Sequence, residues 1–99
     1  MADLLFTLHC ADRDAESLVE AIRAVTGTPI QIRGETVRGR DYGDAGIAEQ
    51  VSGRLRRSVL ELVIGADLLP DLLRAVTASR HALPVRWRSV AILDHGRIA

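Results

Sequence analysis

The chain has 99 residues with 13 Lys+Arg against 13 Asp+Glu, so its formal charge is zero when the three histidines are neutral. That balance excludes a nucleic-acid binder held by bulk electrostatics, and 47% hydrophobic with 26% charged residues excludes a disordered tail. The length suits one domain, residues 1–99, and a chain this short buries only roughly 60–65% of its unfolded surface, so self-association adds useful burial. A single cysteine, Cys10, excludes an intramolecular disulfide and a CxxC pair. The N-terminal stretch carries Asp3 where a signal peptide needs basic residues, and no run approaches the roughly 18–20 apolar residues of a membrane span. A cytoplasmic protein without direct membrane insertion is expected. All thirteen basic residues are arginine, which excludes lysine chemistry such as a Schiff base or a P-loop lysine.

In chain order, Leu4, Phe6, Leu8 and Cys10 alternate with Leu5, Thr7 and His9, which predicts a strand apolar enough on both sides to lie centrally in a sheet. Asp12 is placed to cap a helix over about residues 13–26, with Asp14 and Glu16 in its first turn. Ala15, Leu18, Val19, Ile22 and Val25 form the apolar stripe of that helix, and Gly27 its left-handed stop. A second strand starts at Pro29, is interrupted at Gly34, continues through Glu35–Val37, and reads as an edge strand. Residues 38–53 hold four of the eight glycines without sustained periodicity and form a long loop. A strand from Leu55 to Ile64 follows, apolar on both faces in its second half apart from Glu61. Asp67 is placed to cap a second helix in which Pro70 falls in the first turn and Leu69, Leu72, Leu73 and Val76 form the buried stripe. His81–Pro84 is a break, Val85–Leu93 alternates as the last strand, and Asp94–Arg97 closes the chain as a turn.

The order strand, helix, strand, strand, helix, strand predicts an α+β, ferredoxin-like βαββαβ fold. Right-handed crossovers put both helices on one face of a four-stranded antiparallel sheet. Leu5, Val59 and Val63 then fall on the opposite face, where they predict an apolar patch covered by other copies of the chain.

Several chemistries fail on residue content. A copper-chaperone loop needs a second cysteine beside Cys10, RNA binding on this fold needs exposed aromatics where only Phe6, Tyr42 and Trp87 exist, and an acylphosphatase needs an asparagine, of which there is none. His9, His81 and His95 come from separate segments without ligand spacing, and the bland reading is ordinary hydrogen-bonded histidines. No nucleophile-plus-base pair stands out, so a non-enzymatic protein is expected. The distinctive stretch has Arg33, Arg38, Arg40, Arg54, Arg56 and Arg57 flanking the glycine-rich loop. Their guanidiniums either converge on an anionic ligand or form internal ion pairs with Glu35, Asp41, Asp44 and Glu49.

The element order with a long loop between strands two and three resembles the PII superfamily of trimeric signalling proteins, which also includes CutA. The likeness is closer at Ala48–Arg57, reading Ala-Glu-Gln-Val-Ser-Gly-Arg-Leu-Arg-Arg, at Val59–Leu62, and at Val90–Ile98. These segments resemble a small PII-like family of bacterial proteins often encoded beside heavy-metal efflux pumps. The resemblance implies a homotrimer with sheets facing inward and a T-loop over residues 38–53 that engages a membrane transporter, such as an efflux pump, or an enzyme. It implies a ligand, an adenine nucleotide in PII proteins, in an intersubunit cleft lined by Arg38, Arg40 and Arg54, with Gln50 orienting the ligand or holding the loop. Asp41, Tyr42, Gly43 and Asp44 are the partner-binding part of that loop. The stretch before the last strand, Ala78–Pro84, departs from the family in lacking its glycine-rich basic phosphate motif. The alternative is a CutA-like protein binding a divalent metal through His9, Cys10 or His95 across subunit interfaces.

Overall fold

The computed structural model describes residues 2–38 and 54–99. Its elements are β1 (Asp3–Ala11), α1 (Ala15–Arg23), β2 (Gln31–Arg38), β3 (Arg54–Gly65), α2 (Leu69–Ala78) and β4 (Arg86–Ala91), with 3-10 turns at Asp12–Asp14 and Ala66–Leu68 leading into the two helices. The strands form one antiparallel sheet in the order β2-β3-β1-β4. This is the expected ferredoxin-like α+β arrangement, with β1 central and β2 at an edge.

The alternation in β1 decides where the core lies. Phe6, Leu8 and Cys10 are buried together with Leu60, Leu62 and Ile64 from β3, Leu18 and Ile22 from α1, and Leu72 and Val76 from α2, so both helices pack on that face. Register makes the β1 and β3 sets coincide, because Phe6 pairs with Leu62, Leu8 with Leu60 and Leu4 with Ile64. The same face of β4 carries Trp87, opposite Leu8, and its ring stacks on Phe6 at 6.1 Å between centroids. Burying a large side chain of this kind is worth about 1.5–3 kcal/mol, which makes this face the chief apolar contribution to the fold.

Several local expectations are corrected. The first helix is shorter than residues 13–26: it ends at Arg23, and the chain leaves through a turn in which the Thr26 hydroxyl accepts the Thr28 amide at 3.2 Å. Gly27 is not a left-handed stop, because the helix has already closed before it, with the Ile22 carbonyl accepting the amides of Val25 and Thr26, each at 3.0 Å. Neither Asp12 nor Asp67 caps through its side chain. Asp12 instead accepts the Ser58 hydroxyl at 2.9 Å, fastening the end of β1 to β3. The second strand runs from Gln31 without interruption, since Gly34 pairs with Ser58 in regular register. The last strand is confined to Arg86–Ala91, and no turn forms at Asp94–Arg97; there His95 Nε2 meets the Asp3 carboxylate at 2.8 Å.

Candidate functional site

The base of the β2–β3 hairpin is set by register. Arg38, the last residue of β2, stands opposite Arg54, the first of β3, and Thr36 stands opposite Arg56. Cross-strand partners have their Cβ atoms roughly 4.5–5.5 Å apart, and like-charged residue types directly opposite each other are unfavourable. Arg38 is exposed. A guanidinium's planar fork suits phosphate or carboxylate. Arg40, Gln50, Asp41, Tyr42, Gly43 and Asp44 lie outside the described residues.

Of the two readings of the six arginines, convergence on one ligand does not extend to Arg33 and Arg57. Alternation sends Arg33 to the sheet face away from the helices, where its two terminal nitrogens donate to Glu61 at 3.0 and 3.3 Å. Arg57 falls on the same face and is buried, with Nη1 donating to the carbonyl of Arg56 at 2.9 Å. The arginines alternate between faces because a strand reverses its side chains at every residue.

The face turned away from the helices differs from the apolar patch expected of Leu5, Val59 and Val63. Val59 is fully buried, and Leu5 and Val63 are only half-buried. A polar network crosses the middle of the face instead. The buried Thr7 hydroxyl donates to Glu61 at 3.1 Å, and Glu61 also receives Arg33. The Arg33 hydrogen bonds, helped by Thr7 and opposed by desolvation, hold the Glu61 carboxyl below the usual carboxylate range. Beside it, His9 Nδ1 contacts Glu35 at 2.9 Å and His9 Nε2 contacts Arg88 at 3.4 Å. Sequence reading missed this network because its members are 26 to 79 residues apart. The one local signal was a charge, Glu61, on an otherwise apolar half-strand.

The loop before β4 is fastened to the start of α1. The buried Asp14 carboxylate accepts the amides of Ala82 at 2.9 Å and Leu83 at 3.1 Å, and Ser17 donates to the Arg80 carbonyl at 2.8 Å. The residue read as a favourable charge in the first helical turn is therefore a clamp between two segments. Its contacts take up two backbone donors in the very loop that lacks the glycine-rich phosphate motif.

Within one chain, the residues named for the metal alternative are not brought together. His9 and Cys10 are neighbours in a strand and point to opposite faces, and His95 is bonded to Asp3. Cys10 is buried under the helices; burial, reinforced by Asp14 and Asp12, pushes its thiol up to about 11. Among the described residues no group of three or more His, Cys, Asp and Glu is arranged to hold a metal ion. Among the same residues, no helix is long and apolar enough to cross a membrane.

The βαββαβ element order and the sheet order β2-β3-β1-β4 make a ferredoxin-like fold, the one that PII-like proteins share. Comparison with known proteins agrees, and the chain belongs to the family described as Protein of unknown function (DUF3240), which matches residues 2–99. No curated protein matches the sequence. Among solved structures, it is similar to a DUF3240 family protein from Shewanella baltica OS155, with a TM-score of 0.75 and 13% identity over 100% of this chain and 99% of that one. It is also similar to CPII, a nitrogen regulatory PII-like protein from Thiomonas intermedia K12 bound to ADP, AMP and bicarbonate, with a TM-score of 0.64 and 12% identity over 100% and 98% of the two chains. The Bacillus subtilis GlnK–ATP complex aligns with a TM-score of 0.55 and 11% identity over 90% of this chain and 82% of that one. At such identities these likenesses establish a PII-like fold.

Proposed function

We propose that this chain is a non-catalytic regulatory protein of the PII-like kind that senses a small anionic ligand and acts on a partner through its β2–β3 loop. The observation that carries this reading is the Arg38–Arg54 register pair at the hairpin base of a PII-like fold, two like-charged residue types directly opposite each other, a position that favours an anionic ligand. An adenine nucleotide is the ligand favoured by likeness, since CPII is bound to ADP and AMP and GlnK to ATP.

In this reading three copies pack with their sheets inward, and the ligand lies in a cleft between copies lined by Arg38, Arg40 and Arg54, with Gln50 orienting it. Because Asp14 occupies the Ala82 and Leu83 amides, the phosphates rely on arginine side chains rather than on the loop before β4. Asp41, Tyr42, Gly43 and Asp44 then form the surface presented to the partner, a membrane transporter such as an efflux pump. Ligand occupancy changes the loop, and the loop changes the partner.

The test is calorimetric titration of the purified protein with ADP, AMP, ATP and bicarbonate, together with Arg38→Ala. Saturable binding of one of these, weakened at least about tenfold by Arg38→Ala, is expected for loss of a charge-assisted contact. Failure of all four to bind, or binding untouched by the substitution, overturns the assignment of the hairpin base. Light scattering at micromolar concentration checks the assembly, for which the mass of a trimer is expected and that of a monomer is contrary.

A further inference from the structure

His9 is hydrogen-bonded toward both edges of the sheet. It stands in β1 with Val59 opposite on β3 and Arg86 opposite on β4. Its Nδ1 reaches Glu35 of edge strand β2, crossing over β3, and its Nε2 meets Nη2 of Arg88 on edge strand β4. The side chain is only 17% exposed, so these contacts form much of its surroundings.

The chemistry of the two partners fixes the proton. A guanidinium donates and cannot accept, so Nε2 must be the accepting nitrogen, and the proton of the neutral ring is then on Nδ1, donated to the Glu35 carboxylate. A second proton has one place to go, Nε2, where it faces a like-charged donor. The groups facing His9 are Glu35 and Arg33 from β2, Glu61 and Arg57 from β3, and Arg86 and Arg88 from β4. Protonation strengthens the link to Glu35, breaks the link to Arg88, and adds a positive charge where, among the described residues around His9, four arginines stand against two carboxylates.

We propose that His9 is a proton-operated link on the exposed sheet face: neutral, it ties β2 to β4, and protonated, it releases Arg88 and weakens the packing of copies of this chain through that face. The second half rests on the inward-facing assembly proposed above. On this reading, association is expected to be stronger at pH 8 than at pH 5.5.

Two measurements test it on the full chain. Long-range nitrogen–proton NMR of the imidazole at pH 8 is expected to show the Nδ1–H tautomer; the Nε2–H tautomer overturns the link itself. Sedimentation equilibrium at pH 8 and pH 5.5, on wild type and His9→Gln, is expected to show wild-type association weakened about tenfold or more in acid, while the variant changes much less. A wild-type assembly with the same pH response as His9→Gln overturns the proposed control and leaves the assembly standing. A wild type that is monomeric at pH 8 overturns the assembly and, with it, the interface consequence, which the tautomer result keeps separate from the link. Loss of folding in His9→Gln would appear as lost circular dichroism, and His9→Asn, read in the same way, then takes its place.

Discussion

Arg33 and Glu61 form a two-pronged ion pair that is diagonal across the β2–β3 ladder. Glu61 stands opposite Gln31, and Arg33 stands opposite Val59, yet the guanidinium reaches back to both carboxylate oxygens. Arg33 is 54% exposed and Glu61 17%, so the ion pair alone contributes little. Its importance lies in fixing the Glu61 carboxylate over the buried Thr7 hydroxyl.

Substituting Glu61 therefore costs more than substituting Arg33. Glu61→Ala leaves the Thr7 hydroxyl without its acceptor and is expected to lose about 1–3 kcal/mol, more than Arg33→Met loses. The Glu61 carboxyl titrates below its ordinary value of 4.5 in the folded chain, so the unfolded chain binds the proton more readily. Its stabilisation is complete above about pH 5 and is lost as pH falls through the folded value. Urea unfolding between pH 7 and pH 3 should show a shallower acid decline in Glu61→Gln than in wild type.

Asp14 should matter more than a helix-capping residue does. Asp14→Ala removes the acceptor of two amides, and because Ala82 is exposed and water replaces part of the loss, about 1.5–3 kcal/mol is expected. Hydrogen exchange at the amides of Ala82 and Leu83 should accelerate more than exchange in β1. Equal acceleration everywhere would mean global destabilisation without the proposed clamp.

Cys10 makes an alkaline prediction of opposite sign. Its folded thiol titrates at about 11 against an ordinary 9.0, so the unfolded chain gives up the proton first. The contribution is complete below pH 9 and is lost between about pH 9 and 11. Cys10→Ala should flatten the decline of the urea midpoint over that interval. In wild type at pH 8, a thiol reagent should react only as fast as the chain opens.

The helices depend on the core they cover. Leu72→Ala on α2 and Leu18→Ala on α1 each empty a fully buried position and should cost about 2–5 kcal/mol, read from chemical denaturation. Leu93→Ala, at a fully exposed residue, should leave stability within about 0.5 kcal/mol.

The alternation of Leu4, Phe6, Leu8 and Cys10 and the stripes through Leu18 and Ile22 and through Leu72 and Val76 were enough to predict the fold class, the element order and the buried face. Those signals are periodic and local, and burial on one side of a strand or helix writes them directly into neighbouring residues. The helix ends and the role of Asp14 were not legible in the same way. A carboxylate in a first helical turn looks the same in sequence whether it faces solvent or accepts amides from a loop 68 residues away. The loop-base arginines were visible as a cluster, but their division between two faces followed from strand parity and the β2–β3 register. The pairing of Arg33 with Glu61, and the placement of His9 between Glu35 and Arg88, belong to tertiary structure alone. They depend on how four strands distant in sequence align side by side, and sequence periodicity sets the face of each residue while leaving its cross-sheet neighbour to be decided by packing.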